Sequence, residues 1–157
     1  MAYQRDNEFR GSVVNRARPI LEIVKTVSGA TGKEKVGSRL APSTTSQDMD
    51  MPGTLEQYIH RVEQLDDLDI AFLSLVEPPT SGSKDAEPDG HPIEPLIAMW
   101  NPDRSLVLGG GFTLDRAMEA VDQRYEQRKV VVAFGRQYTS RSGPHTPVEE
   151  KQNYKCV

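Results

Sequence analysis

Between Asp69 and the Pro78–Pro79 pair the sequence reads "IAFLSLVE", a nearly unbroken apolar run from Ile70 to Val76 without in–out alternation. Strands of that kind belong in parallel sheets, where crossover helices cover the surface that an antiparallel strand would show to water. The run predicts a strand buried on both faces and so constrains the chain to an α/β architecture.

The flanking segments supply the helices this requires. Residues 16–28, "RARPILEIVKTVS", place Ile20, Leu21, Val24 and Val27 at helical spacing, with Pro19 in the first turns and "GATG" closing the helix. Val36 to Leu40 reads as a short strand stopped by Pro42. Thr54 and Gln57 form a capping-box pattern ahead of Leu55, Ile59, Val62 and Leu65, predicting a helix over about 54–66. A weak helix from Glu94 to Trp100 precedes the strand Ser105 to Leu108. Thr113 then caps a helix with Leu114, Met118, Val121 and Tyr125 on one face. Residues 129–136, "KVVVAFGR", are the last strand. Residues 78–92, rich in Pro, Gly, Ser and charge, read as a long exposed loop, and 140–157 as a loose tail. Four strands alternating with helices fit either a small open α/β sheet or half of an eight-stranded barrel.

Composition narrows the partners. With 157 residues, one domain is expected, and an apolar share of 36% calls for a modest core with extensive loops. A net charge of −4 and the lack of a basic stripe with interleaved aromatics argue against nucleic acid. Cys156 is the only cysteine, so neither an intrachain disulfide nor a thiolate metal cluster is expected. The polar N-terminus offers no signal-peptide core, and no apolar run reaches membrane-spanning length, so a cytoplasmic protein without a membrane partner is expected. His60, His91 and His145 lack metal-ligand spacing, and the serines lack a nucleophile-elbow context.

The feature that points to chemistry is Gly109-Gly110-Gly111, between the "SLVL" strand and the helix capped by Thr113. Bare backbone amides at a strand-to-helix turn can approach an anion closely, and the following helix dipole favours one. A tight turn alone is the competing account. The last strand ends in Gly135 and Arg136, so two strand tips offer unshielded amides and one adds a guanidinium suited to phosphate. Arg39 is a lone charge on an otherwise small, apolar strand, either a ligand contact or a surface ion-pair partner. Glu77, ending the long apolar strand, is a carboxylate with either a hydrogen-bonding or a structural role.

The segments "EFRGSVVNRARPILEIV", "VGSRLAP", "DIAFLSLVEP", "LGGGFT" and "VVVAFGRQY", in this order over roughly residues 5–139, resemble the C-terminal half of the old yellow enzyme family of FMN-dependent ene-reductases, most closely its fungal members. The resemblance implies half of a (β/α)8 TIM barrel, strands five to eight with their helices, spanning residues 1–139 and leaving open edges, with 140–157 as the tail. It implies FMN as cofactor and NAD(P)H as reductant, with Arg39 against the pyrimidine end of the flavin and the phosphate held by Gly110, Gly111, Gly135 and Arg136. The family's first four strands have no counterpart, and with them go its substrate-binding His/Asn or His/His pair and its proton-donating tyrosine, so no catalytic residue is assigned. Arg10, Val14 and Pro79 depart from the family's "YGGS", "SIENR" and "VEPR" patterns, and "SRSGPHTP" stands in place of its "NPDLPxRL". The expectation is a truncated FMN-binding oxidoreductase relative without autonomous ene-reduction. The alternative is a repurposed half-barrel subunit that pairs with itself or with a complementing N-terminal half.

Overall fold

The computed structural model describes residues 8–9, 11–42, 53–77 and 92–134. Within them, helix α1 (Val13–Thr31) leads to strand β1 (Gly37–Leu40), then α2 (Thr54–Asp67), β2 (Phe72–Val76), α3 (Glu94–Met99), β3 (Ser105–Gly109), α4 (Leu114–Glu119) and β4 (Val130–Val132). The strands form one sheet in the order β1-β2-β3-β4, every neighbouring pair parallel. Each new strand is added on the same side of the last, and successive right-handed crossovers of this kind keep all the helices on one face. That is how a barrel is wound. A doubly wound sheet must reverse direction.

Side-chain burial agrees. Leu40, Leu73, Leu75, Leu106 and Leu108 point to the helical layer and are buried against Leu21, Val24, Val62, Leu65, Leu96 and Trp100. The alternate positions form the other face: Arg39, Ser74, Val107 and Val131 stand level across the four strands. None of these four is buried, and Val131 is 57% exposed. The expectation that β2 is buried on both faces is therefore corrected: among the described residues only the helical layer covers it. Parallel strands carry apolar residues on both faces because a closed barrel fills its interior with side chains, and four strands leave that interior open. At the N-terminal end of this face the Phe72 ring lies directly over Gly37, where a Cβ would come within 2.2 Å of it.

Three local details also differ from the sequence reading. Helix α1 begins at Val13 with Ser12 as N-cap, its hydroxyl accepting from the Asn15 N–H at 3.2 Å, so Pro19 lies inside the helix and not in its first turn. Helix α2 is entered through Gly53, whose carbonyl accepts the Gln57 N–H at 3.1 Å, so the cap sits one residue before the Thr54 of the expected box. Helix α4 passes into a π turn over Ala120–Arg124, closed by the Tyr125 N–H donating to the Ala120 carbonyl at 2.9 Å. Within the helix Ala117 and Ala120 are buried, whereas Met118 and Val121 of the expected face are exposed, and the extra residue of the π turn shifts the register so that Tyr125 joins the Ala117–Ala120 face. The expected loop at 78–92 falls, but for Pro92, outside the described residues, as does the 140–157 tail.

The N-terminal ends of β2 and β3 are tied together by ion pairs. Arg104 Nη1 reaches the Asp66 carboxylate at 3.0 Å and Nη2 the Asp69 carboxylate at 2.6 Å, while Lys33 also pairs with Asp69. The Lys33 hydrogen bond, with the charge of Arg104, holds the Asp69 carboxyl below its ordinary range. The opposite, C-terminal edge is left for function, as in other parallel α/β proteins.

Candidate functional site

At that C-terminal edge β3 runs out into Gly110 and Gly111, with φ of 124° and 78°, a region that L side chains rarely adopt. The Ala133 N–H donates to the Leu108 carbonyl at 2.7 Å, so the chain leaving β4 runs beside the tip of β3. The two tips point the same way. Gly135 and Arg136, expected to complete the phosphate cradle, lie outside the described residues.

Gly110 also has an internal reason to lack a side chain. A Cβ there would come 2.5 Å from the carbonyl oxygen of Glu77 and 2.9 Å from its nitrogen. Close packing against the end of β2 thus accounts for this glycine. Beyond it Gly111 is exposed, and among the described residues neither the Gly110 nor the Gly111 N–H donates to a backbone carbonyl. The dipole contribution expected from the next helix is small, because α4 runs only six residues before the π turn. Its N-cap is as expected, Thr113 Oγ1 accepting the Arg116 N–H at 3.4 Å.

Arg39 projects from the open face of β1, level with Ser74, and is exposed. Strand spacing and rise place its backbone about 10 Å across the sheet and about 10 Å down the strands from the Gly110–Gly111 turn. A ligand touching both must be elongated, anionic at one end and polar at the other. A flavin mononucleotide has that shape, so the residues present fit it: the turn amides suit its phosphate and Arg39 the carbonyl edge of its ring.

Sequence reasoning missed the clamp beneath the turn. Glu77 is 4% exposed, and its Oε2 accepts from Arg116 Nη2 at 2.9 Å and its Oε1 from Arg124 Nη1 at 3.2 Å. Arg124 also pairs with Glu94 at the start of α3. Burial pushes the Glu77 carboxyl above its ordinary value, against the pull of Arg124 and Arg116. Arg116 lies over the Phe112 ring at 5.2 Å, and Phe112 is itself buried. Arg116 and Arg124 are eight residues apart and converge on one carboxylate across the π turn, which the sequence does not announce.

Comparison with known proteins agrees with this geometry. The family model described as the NADH:flavin oxidoreductase / NADH oxidase family matches residues 2–151. "NADP-dependent oxidoreductase lnbE" of Aspergillus flavus is 30% identical, over 96% of this chain and 44% of its own length. "Probable inactive dehydrogenase easA" of Claviceps fusiformis is 36% identical, over 87% of this chain and 37% of its own. Among solved structures, the old yellow enzyme homologue of Zymomonas mobilis superposes with a TM-score of 0.72 at 29% identity, covering 86% of this chain and 37% of that one. A morphinone reductase mutant in complex with tetrahydroNAD gives 0.69 at 26%, covering 86% and 34%. The chain thus spans less than half the length of these relatives, and its four-stranded sheet is part of their barrel. By the family model, the relatives and the fold together, the chain belongs to the NADH:flavin oxidoreductase / NADH oxidase family, that of the old yellow enzymes, whose cofactor is FMN and whose reductant is a nicotinamide.

Proposed function

We propose that this chain forms the phosphate-binding side of an FMN site serving a NAD(P)H-dependent reduction of the ene-reductase type. The observation that carries the reading is the pair of consecutive glycines at the tip of β3, at positive φ and with amides that meet no backbone carbonyl among the described residues, beside the chain leaving β4. In this reading Gly110 and Gly111 donate to the phosphate, joined by Gly135 and Arg136 from the next tip, and the Arg39 guanidinium faces the pyrimidine end of the ring. The bound flavin supplies hydride transfer. The residues of this chain bind and orient it, and none is assigned to proton delivery. A lone cysteine at position 156 fits a reducing, cytoplasmic setting, and among the described residues no helix is long and apolar enough to cross a membrane.

Titration with FMN tests the reading. Desalted protein should retain flavin absorbance and bind FMN more tightly than riboflavin, which lacks the phosphate. Colourless protein that ignores added FMN removes the proposal. A second reading, a half-barrel subunit without turnover that pairs with a second copy or a complementing N-terminal half, is favoured by the sheet face left uncovered among the described residues and by relatives named as probable inactive dehydrogenases. FMN that binds but is not bleached by NADPH favours it.

A further inference from the structure

Glu77 touches both sides of the two-glycine turn. Before the turn, its N–H donates to the Gly109 carbonyl at 2.7 Å, fixing the last residue of β3. Under the turn, its backbone fills the space where a Gly110 side chain would lie. After the turn, its carboxylate holds Arg116, whose guanidinium covers the buried Phe112 ring. Gly110 and Gly111 are the only residues between these two fixed points. Their backbone has the freedom of glycine, and without fixed flanks the two N–H vectors would sample many directions.

We infer that Glu77 is a positioning residue: its carboxylate, acting through Arg116 and Phe112, holds the Gly110 and Gly111 amides in the direction that an anionic ligand needs. The inference deepens the flavin reading and rests on it for the identity of the anion. The geometry makes a distinction that simple electrostatics would not. Neutralising Glu77 leaves two guanidinium groups near the turn with one carboxylate fewer, which by Coulomb attraction alone should strengthen phosphate binding. If orientation governs, binding weakens despite the added positive charge, because a preorganised donor contributes only where it already points.

The experiment compares the wild type with Glu77→Gln, and with Glu94→Gln as a control that removes a partner of Arg124 without touching the turn. Backbone 15N relaxation on the ligand-free proteins reads the order of the Gly110 and Gly111 N–H vectors against Leu106 and Leu108 in β3. The expected result is order parameters at Gly110 and Gly111 that fall from the rigid range of about 0.85 to below about 0.6 in Glu77→Gln, with β3 unchanged and Glu94→Gln like the wild type. In titrations the preference for FMN over riboflavin should shrink about tenfold, the scale of one lost charge-assisted hydrogen bond. Unchanged order at the turn, or a stronger preference for FMN, overturns the inference. If the wild type shows no preference for FMN, the flavin reading fails, and the relaxation arm alone still decides whether Glu77 holds the turn. Should Glu77→Gln not fold, Arg116→Met replaces it: it cuts the link to Phe112 while leaving the carboxylate paired with Arg124, and the same loss of order is expected.

Discussion

Gly110 and Gly111 follow one another at the tip of β3, yet each is glycine for a different physical reason. Gly110 packs against the Glu77 backbone in a strained φ, so Gly110→Ala should cost at least about 2 kcal/mol, read as a lowered urea midpoint. Gly111 is exposed, and Gly111→Ala should cost only the left-handed penalty of about 1–2 kcal/mol. Equal losses would mean that the Glu77 contact does not constrain the turn. The sequence shows three glycines in a row and nothing to tell them apart, since the distinguishing contact comes from a residue more than thirty positions away. Tyr125 carries a second residue-scale prediction. Burial pushes its hydroxyl up to about 12, and among the described residues that hydroxyl is unpartnered. The unfolded chain ionises near pH 10, so it loses its proton first and stability falls between about pH 10 and 12. Below that window Tyr125 contributes no pH dependence. Urea midpoints at pH 9 and pH 11 should therefore separate for the wild type by more than for Tyr125→Phe, and parallel losses in the two proteins would remove Tyr125 as the cause.

At the scale of elements, what could be read from the sequence was what depends on local pattern. The four strands and four helices fall where apolar runs and helical spacing place them, because burial against a neighbouring layer requires that spacing whatever the neighbour is. What failed depended on single hydrogen bonds. The box expected at Thr54 gave way to entry through Gly53, and the one-residue surplus of the π turn carries Tyr125 onto the face of Ala117 and Ala120, away from the expected Met118 and Val121. The β2 run was legible as a parallel strand, but its apolar composition carries no information on whether both faces are covered in this chain. That asymmetry can be measured. Leu108 is fully buried against the helices, and Leu108→Ala should cost about 2–5 kcal/mol, whereas Val131→Ala on the open face should stay within about 1 kcal/mol. Comparable losses in urea unfolding would mean that the open face is packed in solution.

For the whole molecule the open face and the two edges of the sheet are one problem. β1 and β4 each lack a neighbour on one side among the described residues, and the face between them carries Val107, Val131 and the half-buried Val76. Exposed parallel edges with an apolar face are a template for pairing, and a barrel removes both liabilities at once by closing. A two-fold axis along the barrel would set β4 of one copy beside β1 of the other, twice, keeping every strand parallel and making eight strands from two chains. The 157-residue chain is therefore expected to elute in size-exclusion chromatography with light scattering at twice its mass of 17.5 kDa. Val131→Lys, which puts a charge on the exposed side of an edge strand, should return it to the monomer without changing its circular dichroism. A well-folded wild-type monomer at micromolar concentration would show instead that four strands tolerate an open interior, and that closure depends on a different chain. Flavin affinity separates the two cases further. If closure organises the strand tips, FMN binding should rise with protein concentration in the wild type and be weaker and concentration-independent in Val131→Lys, because the ligand stabilises only the state that presents both tips.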